Sequence, residues 1–388
     1  MKVLHSSDWH LGHILYGYDR NEEQKAVLRQ LAEIVRQEKP DVFLVSGDVF
    51  HTSSPSAAIN RLFVEALNDI AEAHPGISIV VTAGNHDSAS KHEVFRTPWK
   101  KVGIHLIGSL HTDNPEDHII EIPGKGLIVA VPYVNERNMP EGFVQQLLDR
   151  TEEMNKAGLP VILMGHTTVS GCDFKGHDDI VNYSVGGIET KTVDEMGTGY
   201  DYLALGHIHR KQWIDNGDKH IRYSGSILPT SFDDDSHHSV SIIEIAKHGS
   251  KPDFKEIELK NPWPLVNLPQ EGTTDWDTAL LLLKEFPDSK QAYIRINITI
   301  DGSLPPGAHN EALKLTEGKR CRLCHINTVR SDETGSRRED SLTLEEFTRA
   351  EPLDIARRYF NTKGVELDSE MENMFREIIE SLNLESNQ

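Results

Sequence analysis

Short apolar runs alternate with amphipathic stretches over the first two hundred residues of the chain. Five runs of four to six apolar residues predict fully buried β-strands, and metal-capable side chains follow closely after each run. In four of the five, glycine follows the run directly and lets the backbone turn tightly. The five stretches are KVLHSSDWHLG, DVFLVSGDVF, ISIVVTAGNHD, LPVILMGH and YDYLALGHIH.

Two helical patterns lie between the first three runs. Apolar residues three and four positions apart predict helices over residues 22–38 and 56–73. Strands that alternate with helices predict an α/β sheet. Because ligand sites in such sheets lie beyond the carboxyl ends of the strands, we expect the five polar clusters to converge on one edge.

The pattern changes after Tyr223. SVSIIEI predicts one more strand, and IELKNPWPLVNLP, with three prolines, predicts a segment that leaves the sheet. Helical patterns around residues 276–285 and 310–316 then alternate with the strand patterns AYIRINITI and RCRLCHINTV. This order predicts a small α+β domain. The polar stretch RSDETGSRREDS predicts a linker, and capping boxes at residues 343–346 and 369–372 predict helices in the tail.

These patterns divide the chain into a main α/β domain over residues 1–268, a small α+β domain over 269–332, and a linker with a helical tail over 333–388. The tail carries an apolar stripe from Met371 to Leu382. Such a stripe packs against its own protein or docks into a partner's groove, and the pattern leaves both alternatives open.

Composition limits the class of protein. The 388 residues contain 37% hydrophobic residues, and no apolar stretch approaches the ~18 residues that span a bilayer. Three cysteines and the lack of a basic, apolar leader predict a cytoplasmic protein. The net charge of −21 argues against general nucleic-acid binding. It does not exclude a polyanionic substrate, since bound divalent ions can reverse the local charge.

The polar residues after the strands form the candidate site. They are Asp8, His10, Asp48, Asn85, His86, His166, His207 and His209. This mixture of carboxylate, amide and imidazole groups is too large for one ion and suits two ions of the Mn²⁺, Fe or Zn²⁺ type. Two such ions form a clamp for displacement at phosphorus, and Asp48 is the natural bridging carboxylate. Each cluster by itself is equally compatible with an ordinary turn or surface loop.

The cysteine pattern Cys321-x-x-Cys324 matches the spacing of haem, zinc or redox motifs. Strand alternation places the two side chains on opposite faces, and the sequence contains no second pair. We therefore predict no metal or haem there.

The motifs D-x-H, G-D, G-N-H-D, G-H and G-H-x-H, in this order, resemble the calcineurin-like metallophosphoesterase superfamily. The flanking stretches SDWHLG, GDVFHTSSPS, GNHDS, LGHIHR and RYSGS resemble the SbcD nuclease family, the bacterial counterpart of the double-strand-break repair nuclease of archaea and eukaryotes. The resemblance implies a four-layer α/β/β/α sandwich of two facing mixed sheets, a small α+β capping domain and a helical C-terminal tail. Residues 1–268 would then be the dimetal nuclease domain.

The same resemblance implies a role for each matching residue. One ion would be held by Asp8, His10, Asp48 and His209. The second ion would be held by Asp48, Asn85, His166 and His207. His86 would contact the scissile phosphate and protonate the leaving 3′-oxygen. Asp87 either orients the ring of His86 or shapes the turn.

His51 departs from the family pattern, which has aspartate there in many bacterial members. The histidine form resembles archaeal and eukaryotic relatives, where this residue helps to position the phosphate. We expect the same substrate-positioning role for His51. The alternative is a supporting hydrogen bond behind the metal ligands.

The resemblance also implies the activity and the partners. We expect a Mn²⁺-dependent 3′→5′ exonuclease on duplex DNA ends and an endonuclease on single strands and hairpins, acting in DNA repair, recombination and replication. An SbcC-type ATPase with a long coiled coil would bind the tail, and the nuclease subunit would form a homodimer within a heterotetramer. The 56–73 helix is the candidate for the dimer contact. The alternatives are another metallophosphoesterase, acting on small phosphodiesters or phosphate monoesters, and a scaffold subunit that does not cut.

Overall fold

The fold is taken from a computed structural model of the chain, which describes residues 1–174, 190–214, 220–234, 237–330 and 371–372. Residues Met1–Val329 form one compact unit, and residues Arg330–Gln388 form a second. Met371 and Glu372 are helical. The rest of the predicted linker and tail lies outside the described residues, so the tail helices stay a prediction.

The described residues form nineteen strands and six α-helices, numbered here in chain order. The strands are β1 (Lys2–Ser6), β2 (Ile14–Leu15), β3 (Tyr18–Asp19), β4 (Val42–Ser46), β5 (Ser78–Thr82), β6 (Ile104–Ile107), β7 (Ile119–Ile122), β8 (Gly126–Ala130), β9 (Val161–His166), β10 (Thr168–Val169), β11 (Thr190–Lys191), β12 (Tyr202–Gly206), β13 (Gln212–Trp213), β14 (Ile221–Tyr223), β15 (Ser239–Glu244), β16 (Asp253–Glu258), β17 (Leu265–Leu268), β18 (Ala292–Ile300) and β19 (Cys321–Arg330). The helices are α1 (Asn21–Glu38), α2 (Ala57–Ala73), α3 (Ala89–Lys100), α4 (Phe143–Met154), α5 (Trp276–Glu285) and α6 (Ala308–Lys314).

Two six-stranded sheets carry the fold. The first has the order β16-β15-β1-β4-β5-β6, and the second has the order β13-β14-β12-β9-β8-β7. Strands β1, β4, β5 and β6 are parallel, as are β8, β9, β12 and β14. Antiparallel strands complete both sheets, which are therefore mixed.

Three apolar clusters show how the layers stack. Alternate residues of both sheets, such as Val3 and Leu44 from one and Ile162 and Ala204 from the other, share a cluster between the sheets. The other face of the first sheet packs on α1 and α2, and the other face of the second sheet packs on α4. The predicted four-layer α/β/β/α sandwich is therefore confirmed.

The helices begin and end close to the predicted positions because their apolar faces determine which side is buried. Helix α2 buries Ile59, Leu62, Phe63 and three further apolar residues. The Ser56 side chain accepts a hydrogen bond from the Ile59 backbone N–H at 3.3 Å, which caps the first turn.

The small α+β part has its own sheet, in the order β17-β18-β19, and its own apolar core with α5 and α6. It lies inside the compact unit Met1–Val329. Strand β17 pairs with β18 but falls before residue 269, on the main-domain side of the predicted boundary. The flanking prolines obscured this strand in the sequence, and its pairing partners lie 28 residues further along the chain, as Leu265 and Tyr293 show. The division into separate domains stays a prediction.

The sequence also predicts that His5, within the first strand pattern, is a core residue and that His238, after the stretch DDDS, lies in a solvated loop. These two predictions have different outcomes. His5 is fully buried, with Nδ1 2.9 Å from the Tyr202 hydroxyl, as expected for a core residue. His238, which the acidic stretch before it places in a solvated loop, is instead buried, and its Nδ1 lies 2.8 Å from the Ser226 carbonyl oxygen. That expectation was wrong because His238 directly precedes β15, an interior strand of the first sheet.

Among the described residues, no helix is both long and apolar enough to cross a bilayer. Cys321 packs in the core of the small sheet, whereas Cys324 packs against a different cluster with Tyr293. Both are free thiols, and their separation agrees with the predicted alternation.

Candidate metal centre

The strand ends of both sheets meet at one edge, as predicted. Clusters after β1, β4 and β5 of the first sheet approach clusters at the ends of β9 and β12 of the second. Ligand-type side chains from five strands are thus brought together across two sheets.

The first group contains Asp8, His10 and His209, whose ligand atoms all lie within 4.8 Å of one another. All three side chains are buried. The Nε2 atoms of His10 and His209 face each other at 2.9 Å. Asp48 Oδ2 lies 3.8 Å from His10 Nε2. Asp48 therefore borders this group.

The second group contains Asp48, His166 and His207, again with ligand atoms within 4.8 Å of one another. Asp48 Oδ2 lies 3.2 Å from His166 Nε2. The Asn85 amide oxygen lies 3.0 Å from His166 Nε2 and 3.1 Å from His207 Nδ1. Asp48 thus lies between the two groups, which is the position that a bridging carboxylate requires.

The donor chemistry fits two cations. Imidazole nitrogens converge on each other and on carboxylate and amide oxygens, a mixture typical of Mn²⁺, Fe and Zn²⁺ sites. Two of the rings are held through the nitrogen that points away from the group. His166 Nδ1 lies 2.8 Å from the Ser46 carbonyl oxygen, and His209 Nδ1 lies 3.0 Å from the Thr230 hydroxyl. Such contacts orient each ring and select the nitrogen that binds metal.

The backbone is strained at four of these positions. Asp8, His10, Asp48 and His207 have φ values of 51°, 44°, 46° and 98°. Residues other than glycine adopt positive φ uncommonly, and each such residue costs of the order of 1–3 kcal/mol. Strain that coincides with the ligand positions indicates a functional geometry that the surrounding fold enforces.

The glycines of the motifs make room for the neighbouring loops. A Cβ at Gly84 would lie 2.1 Å from Asp48 Oδ1, and a Cβ at Gly206 would lie 1.8 Å from the Ser46 carbonyl oxygen. Both separations are far below contact distance. Glycine is therefore required at both positions. Gly84 lies against the neighbouring loop of the same sheet, and Gly206 lies where the second sheet approaches β4 of the first.

Burial and close charges shift the titration of the ligands. Burial raises the pKa of Asp8 to about 7. Burial favours a low pKa for His166, but the adjacent Asp48 carboxylate outweighs it and raises that pKa to about 9. Burial, followed by the His209 ring, lowers the pKa of His10 well below its usual range. A bound cation would compete with protons at Asp8 and His166.

His86 stands beside the two groups. Its backbone N–H donates to Asp48 Oδ1 at 2.9 Å, and its ring Nδ1 lies 3.0 Å from the carbonyl oxygen of His51. The rings of His51 and His86 stack, with centroids 5.7 Å apart. The His51 ring also contacts the rings of His10 and His13. The predicted pair of His51 and His86 is thus next to the ligands, and the two are linked through the His51 main chain.

Asp87 braces two loops. Its carboxylate accepts backbone N–H hydrogen bonds from Gly84 at 2.8 Å, Val49 at 3.1 Å and Phe50 at 2.9 Å. The His86 ring Nδ1 lies instead against the His51 carbonyl. These contacts favour the turn-shaping alternative for Asp87 over orientation of the His86 ring.

Sequence reasoning missed the groups that support the ligands. Thr230 and the Ser46 carbonyl contact ligand rings, and Ser7 donates to Asp8 Oδ2. Ser7 is adjacent to a motif aspartate, a signal that could have identified it. Thr230 carries no such signal because only tertiary folding brings it to His209.

Comparison with known proteins finds a matching family, similar proteins and a structural neighbour. Residues 1–211 match the calcineurin-like phosphoesterase family. The SbcD subunit of nuclease SbcCD from Rhodobacter capsulatus is 31% identical, covering 75% of this chain and 78% of that protein. The protein of the same name from Bacillus subtilis is 32% identical, covering 69% of this chain and 71% of the relative. A crystal structure of a dimetal phosphatase from Danio rerio aligns over 67% of this chain and 99% of its own, at 10% identity and a TM-score of 0.41.

Proposed function

This chain belongs to the calcineurin-like phosphoesterase family and, within it, to the SbcD nuclease subunits, and from this premise we propose that it is the Mn²⁺-dependent DNA-cutting subunit of an SbcCD-type nuclease. It is a metal-dependent hydrolase of phosphodiesters. The observation that carries the proposal is the convergence of two ligand groups on Asp48 at the meeting edge of the sheets.

Two ions held there would polarise the scissile phosphate and lower the pKa of a water molecule between them. Asp8, His10 and His209, with Asp48, would hold one ion. The second ion would be held by Asp48 together with Asn85, His166 and His207. The mixed nitrogen and oxygen donors support Mn²⁺ over Mg²⁺, which prefers oxygen ligands.

His86 would supply the proton for the leaving oxygen. The His51 carbonyl fixes a proton on His86 Nδ1, because a carbonyl oxygen only accepts. A protonated ring therefore donates from Nε2, the atom on the other side of the ring. This nitrogen would deliver its proton to the 3′-oxygen as the phosphodiester breaks.

His51 would position the phosphate while its main chain holds His86. The side chain is half-buried and stacks on the His86 ring, so both imidazoles approach from the same side of the metal groups. The two DNA activities of the proposal, exonuclease on duplex ends and endonuclease on hairpins, would use this one set of residues.

The partners follow from the family as proposals. The nuclease subunit would bind an SbcC-type ATPase, through the tail, in the cytoplasm. Helices α2 and α3 expose Val64, Val94 and Phe95, which supports a homodimer contact on this face. Light scattering would detect the dimer, and a wild-type monomer at micromolar concentration would contradict it.

The test uses two kinds of substrate with Mn²⁺, alone and with the ATPase partner. End-labelled duplex and hairpin DNA report nuclease activity, and a small chromogenic phosphodiester reports general hydrolysis. The proposal expects cleavage of both DNA substrates. Hydrolysis of the small ester without DNA cleavage, even with the partner present, would identify a different phosphoesterase.

A further inference from the structure

The hairpin of β2 and β3 breaks a rule of turn chemistry. Residues 16 and 17 form its two-residue turn, with φ values of 47° at Tyr16 and 85° at Gly17. Positive φ at both positions defines a type I′ turn, whose first position favours asparagine, aspartate or glycine. A tyrosine there is strained, and its side chain is 46% exposed. Neither turn propensity nor burial in the core explains why a tyrosine occupies position 16.

The exposed ring is nevertheless held in place. Tyr16 stacks on His325 of β19, with ring centroids 5.6 Å apart and planes at 23°. It also contacts the ring of Phe232 at 5.7 Å. His325 is itself exposed, whereas Phe232 is buried. The two exposed rings form a small rigid surface, which we call the Tyr16–His325 platform.

The hairpin under the platform is fastened to the small sheet. The Tyr18 hydroxyl donates to the Leu323 carbonyl at 3.1 Å, and Arg322 donates to the Asp19 carbonyl at 3.4 Å. The Arg322 guanidinium also stacks on the Trp263 ring at 4.2 Å. These contacts fix the hairpin, and with it the platform, to the small sheet.

Two chain segments connect the platform to the metal groups, one through Phe232, which contacts Tyr16, and one through the hairpin itself. Phe232 follows Thr230 by two residues, and the Thr230 hydroxyl contacts the ligand His209. On the other side, His13 precedes the hairpin and packs against the His51 ring at 4.7 Å. Two residues span at most ~7 Å. The platform therefore lies within several nucleotides, at ~3.4 Å each, of a phosphate at the metals.

We propose that the Tyr16–His325 platform stacks a base of the DNA strand within several nucleotides of the scissile phosphate. This inference rests on the proposed nuclease function. The outer face of such a stacked ring pair matches one nucleobase, and stacking accepts every base because each has a π-face. A protein partner is disfavoured by size, since a stable interface buries ~800 Å² on each side.

The test combines variants with abasic substrates. Tyr16→Asn removes the ring while suiting the left-handed turn, and Tyr16→Phe keeps the ring without its hydroxyl. Full-length protein with Mn²⁺ cleaves labelled single-stranded oligonucleotides in which one abasic residue is placed at successive positions. In the wild type, one position near the scissile bond should raise KM about 10-fold. Tyr16→Asn should raise KM by a similar factor on intact DNA. The abasic strand should not raise the KM of this variant any further. Tyr16→Phe should behave as the wild type.

The outcomes separate this inference from the function on which it rests. The platform is overturned, and the nuclease function left intact, if Tyr16→Asn has the same KM as the wild type on intact DNA. The same holds if the variant and the wild type depend equally on the position of the abasic residue. Failure of the wild type to cleave any oligonucleotide, with the ATPase partner present, overturns both. A change in kcat alone would also contradict stacking, because the platform does not touch the reacting atoms.

Discussion

Gly165 and Gly206 occupy the same position in the two G-H motifs, yet their surroundings differ. A Cβ at Gly206 would lie 1.8 Å from the Ser46 carbonyl oxygen and 3.0 Å from His166 Nδ1. A Cβ at Gly165 would meet its nearest neighbours, the side chains of Leu205 and Met196, at an ordinary 3.5 Å. At the scale of single residues, the site thus depends on glycines that leave room for close backbone packing as much as on the ligand side chains.

We predict that Gly206→Ala damages the centre and that the matched control Gly165→Ala does not. The methyl group at position 206 must displace backbone, so the loop that carries His207 and His209 moves. We expect weaker Mn²⁺ binding and a loss of at least ~2 kcal/mol in the free energy of unfolding. Titration calorimetry and urea denaturation measure the two quantities. Equal Mn²⁺ binding by the two variants would show that the close approach is unimportant.

His5 provides a prediction for pH. Burial, followed by the charge of Arg222, lowers its pKa to about 3. Between pH 6.5 and 3 the unfolded chain binds a proton at His5 that the folded chain does not, so stability falls as pH falls. From pH 7 to 5 this group accounts for a loss of about 2 kcal/mol. His5→Asn should remove that part of the pH slope in urea denaturation, whereas His237→Asn, at an exposed position, should not. An unchanged slope in His5→Asn would refute this assignment.

At the scale of elements, helix α1 and strand β18 share a buried polar cluster. Arg20 donates to the Glu23 carboxylate at 2.8 Å, and the Tyr293 hydroxyl donates to the same carboxylate. Arg322 donates to the Tyr293 hydroxyl at 2.8 Å. Because every member is tied to another, removal of one leaves a buried polar group without a partner.

We predict that Tyr293→Phe loosens the small sheet against α1. Loss of the hydroxyl should cost ~1–3 kcal/mol, since Glu23 and Arg322 each lose a bond. Tyr18→Phe, which loses one half-exposed bond to a carbonyl, should cost ~1 kcal/mol or less. Hydrogen exchange across β18 and β19 and urea denaturation report both effects. Faster exchange in Tyr18→Phe than in Tyr293→Phe would reverse the expected order.

The sequence predicted these elements wherever the signal was local. Apolar runs marked the strands that end at the ligands, and 3.6-residue periodicity marked α1 and α2. Strand β17 lay hidden in a proline-containing segment, and Thr230 gave no sign of its contact with His209. Both depend on pairing between distant parts of the chain. The packing of the two sheets face to face also depends on contacts between distant parts of the chain. Only the family resemblance implied it.

At the scale of the whole molecule, an acidic chain of net charge −21 buries two carboxylates, Asp8 and Asp48, among histidines where its sheets meet. Buried carboxylates without cations are unfavourable. A metal ion that binds the folded chain but not the unfolded chain therefore stabilises the unit Met1–Val329. The free energy of unfolding rises by about 2.7 kcal/mol when the ion concentration is 100 times Kd.

We predict that removing the metal with EDTA lowers the thermal midpoint of the protein. The Asp48→Asn variant, which weakens the bridging position, should show a smaller change on EDTA addition. Differential scanning calorimetry with and without added Mn²⁺ measures the effect. An identical midpoint before and after EDTA in the wild type would contradict a metal centre formed by these residues.

In the proposed site, the two ligand groups bind metal and His86 transfers the proton. The most direct measurement counts bound Mn²⁺ in wild type and His86→Ala and follows cleavage of end-labelled DNA by both. We predict two Mn²⁺ ions per chain in each protein, with cleavage at least ~100-fold slower in His86→Ala. Cleavage by His86→Ala at the wild-type rate, or fewer than two ions bound by the wild type, would contradict this division of roles.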